Sequence, residues 1–220
     1  CAVGFNMPQL WESPPSPQHM NIDYLQTGIA LCVGISLSAS CGFRVFIPLL
    51  VMALGVRFCG LSIDENLAWV GSDTAIICLG AATFAEILAY YIPVVDNLLD
   101  TIVGPAALVA GAVVTAGMLG DLPDWLQWSV GIIAGAGTAG TVQLGTSAVR
   151  AASTTTSAGI GNPIVSTAEN GLSIVGAVMA VLAPLLAIVG AALLVLLTIL
   201  FLRKLRAFLA AKKARKAAAA

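Results

Sequence analysis

The sequence predicts an all-α integral membrane protein of about six transmembrane helices, with interrupted segments near 42–48 and 150–163. Three observations predict this class. Of 220 residues, 59% are hydrophobic and 10% charged, and the mean hydropathy is +0.96; a soluble domain carries about 25% charged residues. Apolar segments recur at about 24–58, 74–93, 98–119, 125–149 and 164–202, and about 20 helical residues cross a bilayer core of about 30 Å. Charge is also asymmetric. Seven of the ten Lys and Arg fall between Arg203 and Lys216, and the rest of the chain carries three basic and eleven acidic residues, a net of −8. The positive-inside rule keeps such a tail on the cytoplasmic-type side.

Residues 1–23, rich in Pro, Ser and Gln, read as an irregular extramembrane arm, 24–205 as the polytopic helical domain, and 206–220 as a basic, Ala-rich tail. The segment 24–58 would be roughly 50 Å long as one straight helix and 164–202 roughly 58 Å, too long for simple spans. The first breaks at Gly42–Pro48 and the last at Pro184, where a helix kinks or turns. The loops at 59–73 (Asp64, Glu65, Asp73) and 120–124 (Asp121, Asp124) contain no Lys or Arg and are placed outside. The turn in "YIPVVDNLLD" is then inside. If 164–202 divides at Pro184, six spans result with both termini inside; a re-entrant stretch would change the parity.

The stretch "GIIAGAGTAGTVQLG" sets Gly131 and Gly135 four apart, so that another helix backbone can approach closely, with Thr138 and Thr141 able to bond across. Trp69, Tyr90, Tyr91, Trp125 and Trp128 fall at span ends, where interfacial aromatic residues belong. The cysteines Cys32, Cys41, Cys59 and Cys78 form no C-x-x-C pair and read as reduced thiols. The only histidine, His19, lies in the arm, which argues against haem, zinc and histidine-ligated pigment. No metal or other cofactor is expected.

Against this background the polar residues within spans define the candidate site: Arg44, Glu86, Arg150, Asn162 and Glu169. An arginine at a helix centre costs about 2.5–3.5 kcal/mol on insertion scales, so it faces the interior and takes a partner. Arg44 or Arg150 is the expected partner of Glu86. "RAASTTTSAGIGNP", Arg150–Pro163, is too rich in Gly, Ser and Thr for a lipid-facing helix and too apolar for a surface loop. Each half thus holds a break with an arginine and a Gly…Pro boundary, then a glutamate-bearing span, which suits an inverted 3+3 repeat. Asp96, Asn97 and Asp100 open a span after Pro93. They complement the helix dipole and cap free N–H groups, or else hold a cation, a proton or an arginine between like charges.

"SASCGFRVFIPLL", "EILAYYIPVVDNLLDT", "ASTTTSAGIGNP" and "VSTAENG" resemble a family of small multi-pass membrane proteins. That family is common in cyanobacteria and other bacteria, has plastid-type relatives, and is catalogued as a domain of unknown function. The resemblance runs from about Gly28 to Leu200 and implies a membrane location and an all-helical fold, with no established activity. It implies a bacterial inner membrane or, given the added arm, an organelle membrane, plastid or thylakoid foremost.

Two functions compete. One is a transporter or channel for a small solute or ion, with the Arg/Glu set at broken helices as its site. The other is a non-catalytic subunit or assembly factor of a larger photosynthetic or respiratory membrane complex. The sequence lacks H-E-x-x-H, G-x-S-x-G and a Ser/His pairing, so no enzyme is expected. Expected partners are the lipid bilayer, further copies of the chain or a larger complex, with pigment or lipid contact at the periphery and no nucleic acid.

Overall fold

The computed structural model describes residues 23–157 and 160–218, with the side chains of 93, 94, 96–98, 100 and 212–218 excepted. All the regular structure among these residues is helical. The helices are α1 (Tyr24–Cys41), α2 (Phe46–Phe58), a 3₁₀ helix (Glu65–Gly71), α3 (Asp73–Ala89), α4 (Pro93–Met118), α5 (Asp124–Val130), a π segment (Gly131–Ala136), α6 (Gly137–Ser157), α7 (Asn162–Leu182) and α8 (Pro184–Ala218). Four are long and apolar enough to cross a membrane: α1, α4 from Thr101, α7 and α8 to Ala211. The 3₁₀ helix and α3, bent by 68°, make a fifth if taken as one span. The fold is therefore an all-helical bundle with four to five candidate spans.

Local chemistry places the ends. Asp23 caps α1, its carboxylate accepting from the N–H groups of Leu25 and Gln26, and the Ser72 hydroxyl accepts from Ala75 at the start of α3. The first interruption covers only Gly42–Val45, because Pro48 sits in the first turn of α2, where its missing N–H has no intrahelical partner to lose. The second is shorter than 150–163. Residues 150–157 continue α6 as helix, and their hydroxyls are satisfied within it by bonding back to carbonyls of the preceding turn: Thr155 and Thr156 to Ala152 at 2.9 Å, Ser157 to Ser153 at 2.8 Å. At the other predicted break, Ala183 separates α7 from α8.

Helix α1 is central and touches α2, α4, α6, α7 and α8. It runs antiparallel to α4. Ser38 reaches the Gly111 carbonyl and the Thr115 hydroxyl, both at 2.7 Å, and Gly34 lies against Thr115 and Met118. Small residues allow a second close pairing, as "GIIAGAG" predicts. A side chain on Gly131 would meet the Ala112 carbonyl at 2.6 Å, and Gly135 abuts Gly111 and Thr115. The cross-helix hydroxyl bonds come from Ser38 and Thr115, however. Thr141 bonds within its own helix, to Gly137.

Directions follow from these contacts. Gly131 packs by Ala112 and Ala116, and Gly140 by Leu108, so α5–α6 is also antiparallel to α4. An inverted 3+3 repeat requires the leading helices of the two halves, α1 and α6, to run oppositely; both oppose α4 and so run together. Helix α2 turns back beside α7. The break at its start bonds Ser166 and Asn170, and Gly55 near its end faces Val181. Arg57 then meets Asp73 at 3.2 Å at the head of α3, and Asp64 N–H donates to Gly117 near the end of α4.

The aromatic residues Trp69, Tyr91, Trp125 and Trp128 are exposed, as interfacial side chains should be. Tyr90 differs. It is 2% exposed and lies inside the bundle.

Candidate functional site

The first interruption opens onto a buried cluster that α6 and α7 complete. Arg44, in the break after α1, has no exposed surface. A guanidinium has five N–H donors and demands acceptors when buried. Here Nε donates to Asn170 Oδ1 at 2.6 Å, Nη1 to the Phe43 carbonyl at 3.2 Å and Nη2 to the Ser166 carbonyl at 3.4 Å. Nη1 also lies 3.2 Å from Glu169 Oε2. Arg150, on α6, donates through Nε to Glu169 Oε1 at 3.1 Å and through Nη2 to Glu169 Oε2. One carboxylate thus receives two guanidiniums.

Tyr90 completes the arrangement. Arg44 Cζ lies 3.7 Å and Arg150 Cζ 4.1 Å from its ring centroid, within the range where the negative face of an aromatic ring attracts a cation. This is why a tyrosine adjacent to a span end is drawn inside, and it corrects the interfacial placement. The elements that supply the cluster are the first break, the end of α3, the second half of α6 and the first half of α7. Ser166, Glu169 and Asn170 lie four to eight residues into α7, roughly 6–12 Å along its axis.

The expected pairing of Glu86 with an arginine is replaced by another. Its two oxygens accept the backbone N–H groups of Val45 and Phe46, at 2.9 and 3.1 Å. These are orphan donors at the start of α2, whose preceding residues offer no side-chain cap. A carboxylate on a neighbouring helix does what an N-cap residue does locally, and its charge suits the positive end of the helix. Glu86 therefore holds the break in shape, and Glu169 holds the arginines.

Asn162 is buried at the start of α7 and donates to Thr154 at 3.2 Å, tying α7 back to α6. The side chains of Asp96, Asn97 and Asp100, the candidate cation site, lie outside the described residues. Among the described residues, no group of three or more His, Cys, Asp or Glu side chains is placed to hold a metal ion.

Sequence reasoning passed over Tyr90, Ser166 and Asn170. A signal existed for two of them. Ser166 and Asn170 stand four apart and so share a helix face, and Asn170 adjoins Glu169. Ser166 Oγ is fully buried and has no hydrogen-bond partner, which leaves a spare donor and acceptor beside Arg44.

The model of the family described as Domain of unknown function (DUF4126) matches residues 31–204. Neither the curated proteins nor the solved structures gave a match.

Proposed function

The chain belongs to the DUF4126 family, whose description carries no activity, and we propose from the chain's own residues that it is a multi-pass membrane transporter or channel for a small solute or ion. The observation that supports this reading most is the meeting of the first helix break with α6 and α7 at the buried Arg44–Glu169–Arg150 cluster. Broken helices bring polar backbone and charge to membrane depth where a solute is bound. Glu169 and Asn170, with the Phe43 and Ser166 carbonyls, accept from the guanidiniums. An anionic solute would take over those donors, or a proton or cation would occupy Glu169 and release them. Ser166 Oγ adds a free polar group at the same place.

The topology that fits this reading has six long helical crossings: α1, α3, α4, α5–α6, α7 and α8. Helix α2, 13 residues and roughly 20 Å long, is a half-helix that returns from the break. The return reverses the chain once more, so residue 23 and the basic tail lie on opposite sides. The polar content of α6 is accommodated because that helix packs on α1, α4, α7 and α8. The membrane is a bacterial inner membrane or a plastid-type organelle membrane, and no covalent chemistry is assigned.

Flux into proteoliposomes, measured over a panel of small anions and cations, tests the proposal. Solute-dependent flux is expected from the native chain, with loss in Arg44→Ala and Glu169→Gln variants that still elute as folded protein. Flux unchanged in both variants would overturn the site.

A second reading, a non-catalytic subunit or assembly factor of a membrane complex, is favoured by a different observation. Gly80, Gly104 and Gly137 face open space on the outside of α3, α4 and α6, where a partner helix could approach closely. Mild-detergent extraction from native membranes decides it. A defined larger assembly supports this reading, and free chain or homo-oligomer alone rejects it.

A further inference from the structure

Two apolar cavities form one groove. The first, about 430 Å³, is lined by α6, α7 and α8 from Ile164 to Phe201; the second, about 370 Å³, by α1, α7 and α8 from Ser36 to Leu197. They share Phe43, Leu172, Leu194 and Leu197. Helices α7 and α8 are antiparallel, Ile164 standing opposite Phe201 and Gly176 opposite Gly190, and the groove runs between them. From Phe201 to Leu186 it extends over roughly 22 Å of helix, more than half of a bilayer core of about 30 Å. The lining is apolar almost throughout. Its one charged residue, Glu169, has both oxygens engaged by arginines.

The mouth differs in character. Within the first turns past Phe201, the exposed residues Arg203, Lys204 and Arg206 follow, and no acidic residue occurs after Glu169 in the sequence. By helical spacing Lys204 continues the α8 face that lines the groove, with Arg203 and Arg206 around the helix at the same level. The apolar slot thus ends at a band of positive charge, which complements a molecule with one long hydrocarbon chain and an anionic head. We propose that the α7–α8 groove is a binding site for an anionic lipid of the leaflet on the basic-tail side. One acyl chain lies along Leu197 and Leu194 towards Phe43, and the head is held by Arg203, Lys204 and Arg206. Basic residues at a membrane surface attract anionic heads additively, so the three together supply selectivity that the apolar slot lacks. The groove borders the Arg44 cluster at Phe43 and Glu169, but the proposal does not depend on transport.

The test uses the full chain, purified in detergent, exposed to equimolar phosphatidylglycerol and phosphatidylcholine, and read by native mass spectrometry. One phosphatidylglycerol per chain is expected to persist, in at least tenfold excess over phosphatidylcholine. The excess should vanish in an Arg203→Gln/Lys204→Gln/Arg206→Gln variant. Retention of either lipid should fall at least tenfold in Leu197→Trp, which fills the slot from a position 55% exposed and so leaves the packed bundle undisturbed. Equal retention of the two lipids by the native chain, a phosphatidylglycerol excess that survives the triple variant, or retention that survives Leu197→Trp, overturns the proposal.

Discussion

Arg44 and Glu169 meet at 3.2 Å in the interior of the bundle, joining the first helix break to α7. Because Arg150 binds the same carboxylate, Glu169 is the hub of the cluster. Removing one member of a buried ionic set costs about 3–5 kcal/mol, since the charges left behind are not resolvated. Glu169→Gln is therefore expected to lower the thermal midpoint in detergent sharply. Arg57→Gln, which removes a half-exposed pair with Asp73, should change it by less than about 1 kcal/mol. Equal effects of the two substitutions would show that Glu169 does not bear the arginines' charge.

Glu86 acts on backbone, and its loss has a local signature. Glu86→Ala frees the Val45 and Phe46 amides from their acceptors, at a cost comparable to a lost helix cap, about 1–2 kcal/mol. Amide hydrogen exchange at these two positions should accelerate, with Ser38 on α1 unchanged because its contacts are to α4. Unaltered exchange at Val45 and Phe46 would remove the capping role.

The apolar helices, the first break and the burial of Arg44, Arg150, Glu169 and Glu86 were legible because composition and length constrain a helix in lipid strongly. Partner choice was not. Glu86 and Glu169 are both single acids within apolar helices, and sequence spacing says nothing of which one faces a guanidinium and which faces a helix N-terminus. Tyr90 was hidden for a related reason: beside Tyr91 at a helix end it has the signature of an interfacial residue, and only the approach of two arginines from other helices turns it inward. The stretch 150–157 misled because Ser and Thr are poor helix formers in water, whereas in this bundle their hydroxyls bond to carbonyls of the preceding turn.

Glycines in this bundle fall into two groups with opposite expected effects. A methyl on Gly131 would stand 2.6 Å from the Ala112 carbonyl, a backbone atom that cannot rotate away. Gly131→Ala should part α4 from the π segment and destabilise by about 1–3 kcal/mol. A methyl on Gly80 of α3 meets nothing within 4 Å, and Gly80→Ala should stabilise by up to about 1 kcal/mol through helix propensity. Thermal midpoints of the two variants compare them directly. A neutral Gly131→Ala would mean the helices are not in close contact.

The loop at Asp64 supplies a pH-dependent prediction outside the membrane spans. Gln127 Nε2 donates to Asp64 Oδ2 at 3.1 Å and the Asn66 N–H to Oδ1 at 2.9 Å, and these bonds, the Gln127 amide foremost, hold the carboxyl below its ordinary value of 3.8. A carboxyl with a lowered value in the folded state binds its proton more weakly there than in the unfolded chain. Its contribution to stability is thus complete above the ordinary value and is lost as pH falls through the lowered one. Gln127→Leu removes the principal donor, so the Asp64 titration, followed by carboxyl carbon NMR in micelles, should move up towards 3.8. The tie between this loop and α5, which that bond makes, is absent from the variant at every pH. A titration that stays in place would show that Gln127 does not set the charge state of Asp64.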